Sequence, residues 1–211
     1  MKLTIFGATG VTGIILTRQS LAAGHSVTAV VRDPSRLAVP QQQRLEVVTA
    51  DVLDPASISP AVSGADAVLT AVGPRGTGPS TLREDSTRSI IEAMQKTSAR
   101  RLLAVSGSIV ADEGESPYMR YLLKPLVRRT FLRNVCADMR GAEAGIYASD
   151  LDWTIFRPPT LTDKPARGTY RTAIDRNLPH CFNISRADLV ACMLTLLDDR
   201  ATVHKHICIA N

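Results

Sequence analysis

The sequence of 211 residues lacks the patterns that mark membrane and secreted proteins. It has no run of about 18 apolar residues, so no transmembrane helix is expected. The first residues, MKLTIF, begin an apolar segment directly, without the basic and apolar regions of a signal peptide. We therefore expect a cytoplasmic protein with no membrane partner.

Cysteine is scarce, and several common catalytic motifs are missing. The four cysteines, Cys136, Cys181, Cys192 and Cys208, include no C-x-x-C pair, which indicates reduced and mostly buried thiols. No H-E-x-x-H, Walker-A or G-x-S-x-G sequence occurs. We expect no metal site.

Basic residues outnumber acidic ones and give a formal net charge of +5. Such a charge suits an anionic partner: a phosphorylated cofactor, a nucleic acid or a membrane surface. Much of the excess lies in one basic segment, which contains Arg120, Lys124, Arg128, Arg129, Arg133 and Arg140. We interpret this basic segment as a solvated helix face. A nucleic-acid partner is disfavoured, because no binding motif accompanies the charge.

Apolar, β-branched segments alternate along the chain with segments of helical periodicity. Strands are predicted at residues 2–6, 25–31, 45–49, 67–72, 102–105, 151–159 and 206–210. Helices are predicted at residues 11–23, 54–63 with an interruption at Pro60, 80–96, 116–135 with a break at Pro125, 138–148, and from Ser185 onward. The stretch 162–179 carries glycine and proline and is interpreted as irregular. The alternation predicts a doubly wound, mostly parallel sheet in a single α/β domain that spans residues 1–211.

Three glycines mark the junction between the first strand and the first helix. Gly7, Gly10 and Gly13 would allow, in this order, a sharp turn, close approach of a diphosphate, and tight packing of the helix on the strand. The donors expected to face the phosphates are the N–H groups of Val11, Thr12 and Gly13 and the hydroxyls of Thr9 and Thr12. The spacing alone would also suit a plain tight turn. The position between strand and helix favours a dinucleotide cofactor.

The residues after the second strand predict which dinucleotide is preferred. Arg32 and Arg36 can bind the 2′-phosphate of NADP(H) through two guanidinium groups. Asp33 is the competitor, because a carboxylate here accepts hydrogen bonds from the 2′-hydroxyl of NAD(H). As the neighbour of Arg32 on an extended chain, Asp33 should point the other way. We therefore predict NADP(H) in preference to NAD(H).

Six short motifs occur in an order typical of one family: FGATGVTG, VRDPSRL, ADVLD, DAVLTAVG, DWTIFRPP and ISRADL. With them the chain resembles the atypical short-chain dehydrogenase/reductase family, in the branch of biliverdin reductase B (flavin reductase) and NmrA-like regulators. The resemblance implies a three-layer Rossmann fold with an NAD(P)-binding site at the carboxyl ends of the strands. It also implies acceptor-side elements at about residues 107–150 and 157–184.

The resemblance assigns further residues to the adenosine part of the cofactor. Asp51 and Val52 should border the adenine. Ala71, Val72 and Gly73 should pass beneath the adenosine ribose or the diphosphate.

The resemblance also assigns residues to the nicotinamide end. Ser106 and Ser108, in the sequence VSGS, should line the nicotinamide side, and Arg157, Pro158 and Pro159 should wall it. Two alternatives stay open for these positions. The serine hydroxyls would equally satisfy loop backbone groups, and the prolines would equally end a strand.

The chain departs from the superfamily's usual Tyr-x-x-x-Lys pattern, in which lysine assists proton transfer from tyrosine. Leu122 stands four residues after Tyr118, and Pro125 stands four residues after Tyr121. The missing dyad disfavours a ketone dehydrogenase, a sugar epimerase or another isomerase. It favours hydride transfer to a planar acceptor, such as a flavin, quinone or tetrapyrrole-like compound, with Ser106 or Ser108 orienting the acceptor or a water molecule.

A second hypothesis belongs to another class. The chain would be an NADP(H)-binding redox sensor that grips a partner through the basic segment without turnover. Apolar residues accompany the basic ones: Leu122, Leu123, Leu126, Val127, Phe131 and Leu132. They predict either a lid over a planar substrate or ordinary core packing. A monomer or a homodimer is expected.

Overall fold

The computed structural model describes residues 1–74, 76, 78–114, 118, 121–122, 124–130 and 132–211, apart from the side chain of residue 128. The strands in this part of the chain are β1 (Lys2–Phe6), β2 (Ser26–Val31), β3 (Leu45–Thr49), β4 (Ala67–Thr70), β5 (Arg101–Val105), β6 (Asp152–Arg157), β7 (Thr160–Thr162), β8 (Arg171–Ile174), β9 (Asn183–Ser185) and β10 (Lys205–Ala210). The α-helices are α1 (Val11–Ala22), α2 (Pro55–Val62), α3 (Leu82–Gln95), α4 (Lys124–Arg129), α5 (Arg133–Tyr147) and α6 (Arg186–Thr195).

Eight of these strands form one sheet in the order β3-β2-β1-β4-β5-β6-β10-β8. Neighbouring strands are parallel, except that β8 runs antiparallel to β10. The order reverses its direction between β1 and β4, and a crevice for ligands forms at the carboxyl ends of strands at such a point. β7 and β9 pair separately as a small parallel sheet. The predicted doubly wound, mostly parallel sheet in a single α/β domain is confirmed.

Helices cover both faces of the sheet and pack apolar side chains against the strands. On one face, Leu16 of α1 and Leu189 of α6 are fully buried against the sheet. On the other face, Ile90 of α3 and Ile146 of α5 are buried in a second apolar cluster. Each such side chain stabilises the layer by about 1.5–3 kcal/mol. Within the ranges described above, no helix is both long and apolar enough to cross a membrane.

The helical region before β6 differs from its prediction. Pro125 does not break a helix but lies within α4, beside Lys124. The break falls between α4 and α5, and α5 begins at Arg133 rather than at residue 138. Residues 116, 117, 119, 120, 123 and 131 of the predicted helix lie outside the described residues.

The stretch 162–179 is not wholly irregular, because it contains β8. This edge strand buries only Ala173, so its sequence shows no alternation that would reveal it. The predicted start of the last helix is confirmed. The Ser185 hydroxyl accepts a hydrogen bond from the N–H group of Asp188 at 3.0 Å and caps α6.

Candidate active site

The glycine turn packs against its surroundings at two of its three glycines. Gly7 has a φ of +81°, and a Cβ atom there would lie 2.8 Å from the carbonyl carbon of Ala71. A Cβ atom on Gly13 would overlap the carbonyl oxygen of Gly7. Gly10 differs, since its Cβ atom would meet only that same oxygen, at 3.2 Å, and the residue is exposed. Space for a ligand therefore opens above Gly10.

The N-terminus of α1 has no group of its own to satisfy its first N–H groups. Gly10 provides no side-chain cap, and no acidic residue occurs in the first turn. The N–H groups of Val11, Thr12 and Gly13 have no carbonyl partner within the helix. Thr12 also lines the neighbouring cleft, and Thr9 is half-buried in the turn. This end of the helix fits a diphosphate, because the helix dipole and the open donors both favour an anion.

The carboxylate that would compete for the adenosine ribose, Asp33, accepts hydrogen bonds from the chain itself. Asp33 accepts hydrogen bonds from the N–H group of Ser35 at 3.0 Å and from its hydroxyl at 2.6 Å, and so caps a short 3-10 helix, Pro34–Arg36. These bonds lower the pKa of Asp33. Arg32 and Arg36 flank this turn and are exposed. Both bonds fall on one oxygen of the exposed Asp33 carboxylate, and the two guanidinium groups stand exposed beside it.

The ends of β3 and β4 lie on either side of this turn. Asp51 is exposed and accepts a hydrogen bond from the N–H group of Leu53 at 3.1 Å, while Val52 packs against an apolar cluster. At the end of β4, Ala71, Val72 and Gly73 line the cleft.

A cleft of about 910 Å³ extends from Thr12 across the carboxyl ends of β4, β5 and β6. Pro158 and Pro159 line it after β6. Much of its wall is apolar, with contributions from Ile109, Val127, Leu132, Met139, Leu178 and Phe182. Phe182 is 70% exposed, so its ring lies at the rim. The cleft can enclose an apolar, planar group beside the diphosphate site.

Both predicted serines lie at this cleft. The N–H groups of Ser106 and Ser108 donate to the carbonyls of Phe156 and Pro158, each at 2.8 Å, so the pairing of β5 with β6 continues beyond the strands. The Ser106 hydroxyl oxygen is shielded from solvent and makes no hydrogen bond of standard geometry. It nevertheless lies near enough to Glu143 to help lower the pKa of that carboxyl group.

Arg157 is placed differently from its neighbours. Its guanidinium donates to both oxygens of Glu143, at 3.0 and 2.7 Å, and to the hydroxyl of Tyr147 at 2.9 Å. Burial opposes ionisation of Glu143, but the Arg157 guanidinium outweighs it and holds the pKa of this carboxyl below its ordinary value. The side chain of Arg157 thus braces β6 against α5, and the chain reaches the cleft at Pro158 and Pro159.

Sequence reasoning missed Arg83, which also lines the cleft. Its guanidinium lies close to Gly73 and pairs with Asp138 at 3.3 Å. The Asp138 carboxylate is buried and accepts from the N–H groups of Arg83 and Glu84, at 2.9 and 3.1 Å, at the start of α3. Because Asp138 stands 55 residues from Arg83, no local pattern reveals the pair.

Lys124 and Asn177 were also missed as parts of the site. The Lys124 ammonium donates to the carbonyls of Ser108 and Ala111, at 3.0 and 2.9 Å, and the Asn177 amide donates to the same two carbonyls, at 3.3 Å each. Both side chains therefore fix the loop that carries Ser108. Lys124 is buried, so its interpretation as part of a solvated face is wrong.

The rest of the basic segment is exposed where it is described, at Arg129, Arg133 and Arg140. Arg120 and the side chain of Arg128 lie outside the described residues.

The side chains expected in a lid divide into two groups. Leu122 and Leu126 are 59% and 58% exposed, which contradicts ordinary core packing. Val127 and Leu132 line the cleft. Leu123 and Phe131 lie outside the described residues.

No tyrosine is among the described residues that line the cleft. Tyr118 and Tyr121 are 62% and 72% exposed, and Lys124 is engaged with loop carbonyls. The missing Tyr-x-x-x-Lys dyad is thus not replaced by a tyrosine from another part of the described chain.

Curated relatives are similar to the chain over all or part of its length. The YwnB protein of Bacillus subtilis is 24% identical over 203 residues, which cover 94% of this chain and 92% of YwnB. A 3-diazoavenalumate denitrifying reductase of Streptomyces is 38% identical over 53% of this chain. The photosystem II assembly factor Ycf39 of Synechocystis is 28% identical over 56% of it. The last two matches span only 39% and 37% of those relatives.

Solved structures share the whole fold. A short-chain dehydrogenase/reductase from Veillonella parvula, in complex with NADP, superposes with a TM-score of 0.81 at 21% identity and covers 100% of this chain and 94% of that one. The oxidoreductase YlbE from Lactococcus lactis gives a TM-score of 0.81 at 20% identity, covering 100% and 91%. The assignment by resemblance is confirmed for family and fold. The chain belongs to the NAD(P)H-binding family, whose model matches residues 7–200.

Proposed function

We propose that this protein is an NADPH-dependent reductase that transfers hydride to a planar acceptor, such as a flavin, a quinone or a tetrapyrrole-like compound. One observation carries the proposal. The cleft of about 910 Å³ starts at the open N-terminus of α1 and continues between apolar walls, with no tyrosine among its described lining residues. Such a cleft suits an acceptor that stacks on the nicotinamide and takes its proton from water.

One side of the cleft binds the cofactor and the other binds the acceptor. The turn at Gly7, Gly10 and Gly13 binds the diphosphate, and residues 51–52 and 71–73 border the adenosine. Elements within about 107–150 and 157–184 hold the acceptor, since they supply the apolar wall. All these elements belong to one domain spanning residues 1–211.

Preference for NADP(H) rests on the turn after β2. Arg32 and Arg36 bind the 2′-phosphate, while Ser35 engages one oxygen of the competing Asp33 carboxylate. A guanidinium bound to a phosphate contributes about 1.5–3 kcal/mol. The preference should therefore be large.

The bound nicotinamide cofactor supplies the hydride. The protein's own residues position the acceptor and keep water away from the transfer. Ser106 or Ser108, both at the cleft, orients the acceptor or a proton-donating water. Val127, Leu132 and Phe182 cover the acceptor with apolar surface.

Turnover is tested by following the absorbance of reduced nicotinamide with FMN, a benzoquinone and biliverdin as acceptors. Enzyme-dependent oxidation of NADPH by at least one of them is expected. Ser106→Ala should lower the rate with little effect on NADPH affinity. Binding of NADPH without turnover of any acceptor would overturn the reductase assignment.

Cofactor preference is tested by calorimetry with Arg32→Ala. The variant should lose about 10- to 100-fold in NADPH affinity and little in NADH affinity, because only NADPH carries the 2′-phosphate. Arg88→Ala, at an exposed arginine on α3, is the matched control and should change neither affinity. Equal losses for both cofactors in Arg32→Ala would place the 2′-phosphate elsewhere.

An NADP(H)-binding regulator without turnover is the second candidate. Tyr121, Leu122 and Leu126 are exposed apolar side chains next to the exposed Arg129, a surface that suits a protein partner. The similarity to an assembly factor also favours it. Capture of a partner that depends on the NADP/NADPH ratio, without turnover, would support this candidate.

A further inference from the structure

Two cysteines from distant parts of the chain meet at the cleft wall. Cys181 precedes β9, lines the cleft and is partly exposed. Cys208 lies in β10 and is 2% exposed. Their Sγ atoms are 3.6 Å apart and hydrogen-bonded. Cys181 therefore lies where a small molecule in the cleft can approach it, and the Cys208 sulfur lies next to its own.

The surroundings hold the two sulfurs in this arrangement. The N–H group of Leu178 donates to the Cys208 sulfur at 3.4 Å and so helps to fix its position. The Arg171 guanidinium donates to the carbonyls of Pro179 and His180, at 3.1 and 3.4 Å, and orders the segment that leads into Cys181.

We propose that Cys181 and Cys208 form a redox-active dithiol, which a hydroperoxide oxidises to a disulfide. In the first step, the Cys181 thiolate attacks the peroxide, giving a sulfenic acid and releasing hydroxide or an alkoxide, which takes a proton from water. In the second step, the Cys208 thiol attacks that sulfur and releases water as the S–S bond forms. The dithiol loses two electrons and two protons, and the peroxide is reduced by two electrons.

The fold permits the small movement that the disulfide needs. The sulfurs must approach by about 1.6 Å, from 3.6 Å to a bond length of about 2 Å. Cys208 is fixed, because β10 pairs with β6 on one side and β8 on the other. Cys181 lies in the irregular connection between β8 and β9, so its side chain is the one that moves. Oxidation would draw its sulfur from the cleft wall toward the sheet.

The other two cysteines serve as internal controls. Cys136 and Cys192 are each 2% exposed, on α5 and α6. Burial raises the pKa of the Cys192 thiol to about 11, so this group stays protonated at neutral pH. Neither residue lines the cleft. The reactive thiols should thus be Cys181 and Cys208 alone.

The experiment treats the full-length reduced protein with hydrogen peroxide, then denatures it, alkylates the remaining thiols and maps the peptides by mass spectrometry. The thiol count should fall from the four cysteines of the sequence to two, with a Cys181–Cys208 cross-link that dithiothreitol reverses. Cys181→Ser and Cys208→Ser should each abolish the cross-link. Cys192→Ser should retain it.

Three outcomes would overturn the proposal: a thiol count that stays at four, a cross-link that includes Cys136 or Cys192, or over-oxidation of Cys181 with no bond to Cys208. Because Cys208→Ser removes a buried side chain, its folding is checked by circular dichroism, and Cys181→Ser provides the independent test at a partly exposed position. The readout is the thiol chemistry of the chain itself. It therefore succeeds or fails separately from the proposed reductase activity.

Discussion

The two sides of the cleft are held in place by different means. The diphosphate turn, residues 7–13, is fixed by its own backbone: the N–H group of Gly10 donates to the Gly7 carbonyl at 2.9 Å, and Gly13 packs on the same carbonyl. The acceptor loop, residues 106–111, is fixed by side chains from elsewhere. Lys124 and Asn177 reach Ser108 across 16 and 69 residues of sequence.

This difference determines which of the two segments tolerates amino-acid substitutions. A turn made by backbone contacts tolerates few substitutions, because any added atom meets main chain that cannot rotate away. A loop held by remote side chains can change shape through single substitutions that leave the sheet intact. Cofactor binding is thus built into the fold, while the choice of the proposed acceptor would depend on contacts that single substitutions can change.

The largest effect of a single substitution should fall on the acceptor side. Glu143→Ala leaves the Arg157 guanidinium, whose side chain is 12% exposed, without its partner. We expect the free energy of unfolding to fall by about 3–5 kcal/mol, because an unpaired buried charge is costly. Urea denaturation measures this fall.

The matched control for that experiment is Glu92→Ala, which removes the exposed ion pair with Lys96 and should cost at most about 0.5 kcal/mol. Equal losses in the two variants would show that the Arg157 pair does not brace the acceptor side.

The next largest effect should come from the diphosphate turn. Gly13→Ala places a methyl group on the Gly7 carbonyl oxygen, so we expect a loss of about 1–3 kcal/mol in stability together with loss of NADPH binding. Gly10→Ala is the control, since its Cβ atom meets only one oxygen at 3.2 Å. The Gly10→Ala variant should keep the stability of the wild type and lose only affinity for NADPH. Thermal unfolding and calorimetry on both variants decide the matter, and an unstable Gly10→Ala would contradict this division.

The same division explains how much the sequence could predict. β1 and β3 were predicted at their observed bounds, because each is an apolar run that ends at turn residues. The glycine turn was equally clear, since its signal is local. β8 was missed because only Ala173 is buried in it, and the start of α5 was misplaced because no side chain caps it.

The candidate site was predictable on one side only. Residues of the diphosphate turn were named from a local motif, and those at the ends of β4, β5 and β6 from the family resemblance. Arg83 and Asn177 were not, because their roles follow from pairings across 55 and 69 residues. Arg157 was named, but its contact with Glu143 depends on how α5 packs against β6. Such contacts arise only once the layers are assembled.

A smaller effect is expected from Asn177, which holds the loop of residues 106–111 from the connection after β8. Asn177→Ala removes the hydrogen bonds to the carbonyls of Ser108 and Ala111, so we expect stability to fall by about 1 kcal/mol and the KM for the acceptor to rise. The dissociation constant of NADPH should stay unchanged, because Asn177 does not touch the diphosphate turn. Steady-state kinetics with calorimetry separates the two. A change in NADPH affinity equal to the change in KM would mean that the two sides are coupled.

The smallest effect concerns the pH dependence of stability, through a histidine near Arg157 and Glu143. His206 in β10 is hydrogen-bonded to Tyr147 and Asp175. Burial, and then the nearby Arg157, lower the pKa of His206 below its ordinary value of 6.5. Asp175 and Glu143 act in the opposite direction but do not outweigh them. The unfolded chain therefore binds this proton more readily than the folded chain, so the contribution of His206 to stability is present above about pH 6.5 and is lost as the pH falls below it. Unfolding midpoints measured from about pH 7.5 to about pH 5.5 should fall in the wild type and fall less in His206→Gln. If the midpoints of wild type and variant fall equally, a group other than His206 titrates in this range. If the wild type falls more, protonation of His206 destabilises the region where it contacts Tyr147 and Asp175.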